Sequence, residues 1–259
     1  MCHPASFVLT KDSIFYSEHS DSHEDIIKEF GLNPDGVRGP NVVRVEISPE
    51  NNKFDLPLRK WVFKVDQDIL PDWWIQQKGE RRTRIALKSW AEKKLVLPKD
   101  DGKTIQKGNV IIYNSSACLY NNSSAKLYGD SSADLFNNSS AELCNNSSAY
   151  LYNNSFAVLC DNSSAELYNN SSAKLYGNSS AKLYGNSSAK LHDNSFAELC
   201  NNSSANLYNN SSAVLCDNSS AELYNNSSAE LKSVFAVYWN HHTLFHGGGR
   251  KIQKISPEN

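Results

Sequence analysis

The sequence predicts a mainly β protein: a small α+β N-terminal domain followed by a β-solenoid of fifteen octapeptide repeats, with two repeats to each coil favoured over three. Three observations predict it. From Tyr113 to Lys232 an eight-residue unit, N-N-S-S-A-x-L-Y, recurs fifteen times over 120 residues without insertion or deletion. Fixed-period self-similarity of this length marks a stacked architecture. Within each unit the serine at position three, the alanine at position five and the leucine at position seven lie two apart, as Ser115, Ala117 and Leu119 do in the first. Finally, residues 1–104 lack the repeat and hold seven of the eight prolines and four of the five tryptophans.

The spacing settles strand against helix. On a helix, eight residues overshoot two turns by about 80°, so successive leucines would spiral around the axis and share no face. On a strand, residues two apart point the same way. Serine, alanine and leucine therefore face inward. Position six, which varies from Lys126 to Asp134, Glu142, Tyr150 and Val158, faces outward. The Tyr-Asn-Asn or Tyr-Gly-Asn step supplies a corner, because Gly and Asn tolerate positive φ.

Two units per coil place residues sixteen apart in adjacent rungs. Cys144 then stacks with Cys160, and Cys200 with Cys216. The same register sets Lys126 beside Glu142, Glu166 beside Lys182 and Lys182 beside Glu198, against one like-charged pair, Lys174 and Lys190. Fifteen units make seven to eight coils. Residues 105–112, with the apolar Asn109-Val110-Ile111-Ile112, read as the N-terminal cap of the solenoid, 113–232 as the solenoid and 233–259 as a cap strand with a flexible tail.

In the head domain, 1–104, Phe7-Val8-Leu9 and Ile14-Phe15-Tyr16 read as a hairpin. Ser22 starts a helix through Phe30, and Gly31 stops it. Val43, Val45 and Ile47 alternate with Arg44 and Glu46 as a half-buried strand, and Trp61, Phe63 and Val65 do the same. Leu87, Trp90, Ala91 and Leu95 form the apolar stripe of a helix over roughly 72–95.

Net charge is −2 and the pI about 6.4, which argues against nucleic acid as a partner. No apolar run reaches the roughly 20 residues that cross a bilayer, and the start has no basic segment followed by an apolar one. The expected location is the cytoplasm, with all six cysteines reduced. No phosphate-binding loop, dinucleotide fingerprint or metalloprotease motif occurs, so neither a cofactor nor a small-molecule substrate is expected.

The candidate binding surface is the aromatic position eight, Tyr120, Tyr128, Tyr152, Tyr168, Tyr176, Tyr184, Tyr208 and Tyr224, with Phe156 and Phe196 at position four. It reads as an outward ladder, available for stacking between rungs or for a partner. A basic patch gathers Arg81, Arg82, Arg84 and Lys88 on the long helix. Cys2, exposed as an N-terminal residue once Met1 is removed, is the one candidate nucleophile, in the manner of N-terminal-cysteine hydrolases. His19 and His23 lie among carboxylates, and His241, His242 and His246 precede or join a glycine run; both sets are metal candidates. The loop Asp66-Gln67-Asp68 with Asp72 and Trp73-Trp74 is a ligand candidate. Each of these also has a structural reading, as a solvated helix face, a helix start, a connection or a tail.

The segments MCHPASFVLTKD, DSHEDIIKEFGL, VRVEISPEN and WVFKVDQDILPDWW followed by ERRTRIALKSW resemble the N-terminal domain of uncharacterised proteins from bacteriophages and gut bacteria, in which short tandem repeats follow. The A-x-L centre of the octad is similar to that of the pentapeptide-repeat solenoids, from which it differs in period. The first resemblance carries no established activity. It implies a phage-encoded protein acting on host machinery, and together with the repeat it points to a non-enzymatic scaffold for protein–protein interaction. The alternatives are a self-assembling solenoid, dimeric or fibrous, and a hydrolase built on Cys2.

Overall fold

A computed structural model describes residues 5–36, 39–232, 237–239 and 245–246. The protein is mainly β, and the chain forms two compact units. One comprises Met1–Lys99 with Gly108–Tyr113, the other Asp100–Lys107 with Asn114–Asn259.

The N-terminal unit is α+β. Four antiparallel strands lie in the order Ile14–Phe15, Ala5–Leu9, Val43–Ser48, Val62–Val65. The expected hairpin forms, with Leu9 opposite Ile14. Every residue of Ala5–Leu9 is buried, because both faces of the sheet are covered. On one face the helix His23–Glu29 packs Ile26 and Ile27 against Val8 and Val42. Ser22 caps it, accepting a hydrogen bond from the Asp25 amide, and Gly31 follows at φ 60°. The longer helix, Gln76–Lys94, brings Leu87 and Trp90 to the core, where the Trp90 ring meets Trp61 edge-on at 6.1 Å. This helix starts later than the apolar stripe suggests. The ring of Trp74 lies where a Cβ on Gly79 would sit, only 2.0 Å from it, so the residues before Gln76 fold as a turn that lays Trp74 over the helix. In the same unit Leu95–Val96 pairs in parallel with Asn109–Tyr113, Leu95 opposite Ile111.

The second unit is the solenoid. Each octad gives one strand, from position four to position seven, and successive octads alternate between two parallel sheets. Ser116–Leu119 pairs with Ser132–Leu135, and Ser124–Tyr128 with Ser140–Leu143. The register is sixteen residues throughout, which makes two octads per coil. One sheet has ten strands, from Lys103–Ile105 to Phe245–His246. The other ends on Val237–Trp239, whose first residue lies opposite Ala221. The coil has about nine turns rather than seven to eight, because strands outside the octads continue the ladder.

The inward residues are those the alternation selects. The octad leucines and alanines are buried throughout, and so are the serines at position three. A buried hydroxyl is costly unless bonded. Ser139 Oγ donates to the carbonyl of Phe136 at 2.6 Å and lies 3.1 Å from that of Leu119 in the rung beneath. The same geometry recurs at Ser155 and Ser163. Each of these three serines thus closes its own corner and touches the neighbouring coil.

The two corners differ where the step is Asn-Asn; at Gly185 and Asp217 the first corner too has a single left-handed residue. After Ser116–Leu119 and Ser132–Leu135 both turn residues are left-handed: Asn121 and Asn122, then Asn137 and Asn138. After Ser140–Leu143 and Phe156–Leu159 a single residue is, Asn145 or Asp161. Asn, Asp and Gly occupy these places because other side chains resist φ near +60°.

Candidate functional site

Two outward faces and two corner columns display what the solenoid can offer a partner. On a strand, positions four and six both face out, so each face carries two rows of side chains.

On the sheet that runs from Lys103–Ile105 to Phe245–His246 the position-six row reads Asp134, Tyr150, Glu166, Lys182, Glu198, one residue per rung. The position-four row beside it is serine except at Phe196. Small serines next to larger neighbours leave a trough. Tyr150 closes it at one end and Phe196 at the other, around a depression of about 250 Å³. Tyr150 is 44% exposed and Phe196 36%, both high for aromatics in a sheet. Glu166 and Lys182 on the two strands between them, and Glu198 beside Phe196, alternate in charge along the wall.

The opposite face has a different pattern. Lys126 pairs with Glu142 at 3.9 Å, as the register requires. Lys174 and Lys190 are neighbours of like sign, and Phe156 is half-buried among the serines. The two phenylalanines of the candidate surface therefore stand on opposite faces, because Phe156 and Phe196 are five octads apart and five is odd.

The tyrosines form two columns rather than one ladder. Along one corner Tyr120, Phe136, Tyr152, Tyr168 and Tyr184 stack with ring centroids 4.8–5.2 Å apart and planes within 11° of parallel. Along the other, Tyr176, His192, Tyr208 and Tyr224 do the same at 4.8–4.9 Å. These rings are half-buried and each covers the next, so they offer edges rather than faces. Tyr168 Oη donates to Glu166 at 2.5 Å and Tyr224 Oη to Glu222 at 2.7 Å; the carboxylate holds each phenol proton and raises its pKa. Tyr128 shares its corner with Cys144 and Cys160. Both cysteine pairs stand in adjacent rungs as expected. Burial first, and then the neighbouring thiol, pushes Cys144 and Cys200 up to about 11. Protonated thiols of this kind are poor nucleophiles.

The basic patch of the N-terminal unit does not stay together. Arg82 donates to the carbonyls of Thr10, Lys11 and Ser13 and holds the hairpin turn. Arg84 pairs with Glu80 at 2.7 Å and donates to the Trp61 carbonyl. A guanidinium spent on backbone carbonyls is a structural clamp. Arg81 and Lys88 remain exposed. Beyond them Lys93 pairs with Glu18, holding that carboxyl below its ordinary range, and buried Lys94 donates to the Glu18 carbonyl.

The candidate loop is likewise structural at its centre. Gln67 accepts from the Arg44 amide at 2.8 Å and donates to the carbonyls of Val42 and Ile69, extending the sheet edge through a side chain. Asp68 and Asp72 are exposed. His19 and His23 part company: His23 turns inward, 4% exposed, toward Glu46 and Asp66, which lie far along the chain. Alternation had placed Glu46 on a wet face, but it is buried because the short helix covers that face. Cys2, His241 and His242 lie outside the described residues, and His246 is described only as strand backbone. Among the described residues no helix is long and apolar enough to cross a membrane. No known protein family matches the chain, and it is similar to no curated protein and no solved structure.

Proposed function

We propose that the protein is a non-enzymatic binding scaffold whose solenoid holds a protein partner on the Tyr150–Phe196 face. The depression between these two residues carries the reading. Exposed aromatics on a fixed backbone are the residues that anchor protein interfaces, since they bury much area and lose little rotamer freedom. Glu166, Lys182 and Glu198 alongside them supply charge of alternating sign, which selects register more than it adds affinity. The resemblance of the N-terminal domain to phage proteins directs the search to bacterial cytoplasmic proteins.

The test compares the full chain with a Tyr150→Ala, Phe196→Ala double variant. Both are immobilised, exposed to bacterial lysate and cross-linked, and the captured proteins are identified by mass spectrometry. The proposal expects proteins retained by the parent chain and lost from the variant; identical sets would remove it. Light scattering on both chains separates a foreign partner from a second copy. Concentration-dependent dimers or fibres that the double variant abolishes would make the scaffold a self-assembling one.

A further inference from the structure

We infer that the N-terminal unit binds a divalent transition-metal ion between His23, Glu46 and Asp66. The three residues come from separate places in the chain: the first turn of the short helix, the strand Val43–Ser48 and the residue just after the strand Val62–Val65. One ligand atom from each lies within 4.8 Å of the other two. His23 Nδ1 stands 3.5 Å from Asp66 Oδ2. Ligands about 2.1 Å from a tetrahedral ion stand roughly 3.4 Å apart, so the His–Asp edge has that length already.

The imidazole is set for coordination. Its Nε2 lies 3.1 Å from the carbonyl of Val45, which can only accept, so Nε2 carries a proton. Nδ1 is then the ring nitrogen left to face the two carboxylates, and the one that would ligate the ion. A ligating histidine that donates its other N–H to a backbone carbonyl has the ring orientation and basicity that metal centres use. His23 and Glu46 are 4% and 3% exposed, so their positions are fixed by packing. Asp66 is held through its backbone, its amide donating to the Arg44 carbonyl at 2.9 Å, and its side chain opens to solvent. That opening is the entry path and leaves room for a water as a further ligand. Lys64 Nζ lies 3.3 Å from the other Asp66 oxygen; it is 59% exposed and free to swing aside. One imidazole and two carboxylates are borderline-to-hard donors, which suits Zn²⁺ or Mn²⁺ better than Cu(I). The scaffold proposal is independent of this site, which lies wholly in the N-terminal unit.

The test uses Zn²⁺ as probe and the full-length chain. Equilibrium dialysis with elemental analysis counts bound ions for the parent, for Asp66→Asn, for His23→Gln and for a tail variant with His241, His242 and His246 changed to Ala. The parent and the tail variant should hold one equivalent more than Asp66→Asn and His23→Gln. Zn²⁺ should also raise the thermal midpoint of the parent and leave both site variants unmoved. Asp66→Asn keeps the backbone bond to Arg44, and circular dichroism confirms its fold. Equal occupancy in the parent and both site variants, or no uptake by the parent, overturns the inference.

Discussion

Tyr168 lies flat on Tyr152, ring centroids 5.2 Å apart and planes 9° from parallel, although sixteen residues separate them along the chain. Residues in identical positions of successive coils repeat at the strand spacing of about 4.8 Å, which matches the distance at which aromatic rings stack. The tyrosine columns therefore belong to the fold before they belong to any partner. Three aromatics stand outside these columns: Tyr150 at position six and Phe196 at position four of one face, and Phe156 at position four of the other.

The inward leucine is the main apolar side chain in each rung, and Leu167 is fully buried. Leu167→Ala should cost about 3 kcal/mol, as large-to-small changes in packed cores do. Lys174→Ala should change stability by less than about 0.5 kcal/mol, because Lys174 faces solvent beside Lys190. Urea unfolding followed by circular dichroism measures both. Equal effects would mean that the leucine row is not a core.

Corner chemistry is separable from side-chain chemistry at Asn153, whose φ is 52°. Asn153→Gly should leave stability nearly unchanged, whereas Asn153→Val should lower it by about 1–2 kcal/mol, because a β-branched residue resists the left-handed region. Thermal melts of the two variants check the difference.

The stacked thiols give a pH dependence. Burial and the adjacent cysteine hold Cys144 and Cys200 protonated up to about pH 11, while in the unfolded chain a thiol ionises near its ordinary value of about 9. The folded state binds more protons than the unfolded state between these values. The contribution is fully present below about pH 9 and is lost as pH rises through 11. Urea midpoints measured from pH 8 to pH 11 should fall, and replacing Cys144, Cys160 and Cys200 with Ser should flatten the slope. Iodoacetamide should label these cysteines slowly at pH 7 in the folded protein and quickly in urea.

Much of the solenoid was legible in the sequence because the octad is exact at the positions that matter. Ala117, Leu119 and Ser115 lie two apart, and their counterparts recur without a gap, so strand, inward face and corner all follow. The cysteine and charge spacings favoured the sixteen-residue coil over a three-octad one. The N-terminal unit was legible as elements, yet its sites were not. Arg82 and Arg84 look like a basic face until the hairpin turn and the Trp61 carbonyl are placed beside them. Glu46 alternates like an exposed residue until the short helix lies over it. His23 reads with His19 from the sequence, while its neighbours in space, Glu46 and Asp66, follow it by 23 and 43 residues.

Taken alone, the repeat determined that the chain winds into rungs with serine, alanine and leucine inside, because period-two burial is local arithmetic on residue positions, while its sixteen-residue spacings favoured two octads per rung over three and the strand register made it two. Only the tertiary structure decided that identical Asn-Asn steps make two unlike corners, that the tyrosines divide into two stacks and that Phe156 and Phe196 face opposite ways. It alone gathered His23, Glu46 and Asp66. These depend on which strand a segment joins and what covers it, and residues distant in sequence acquire a common environment only when the backbone ladders bring them side by side.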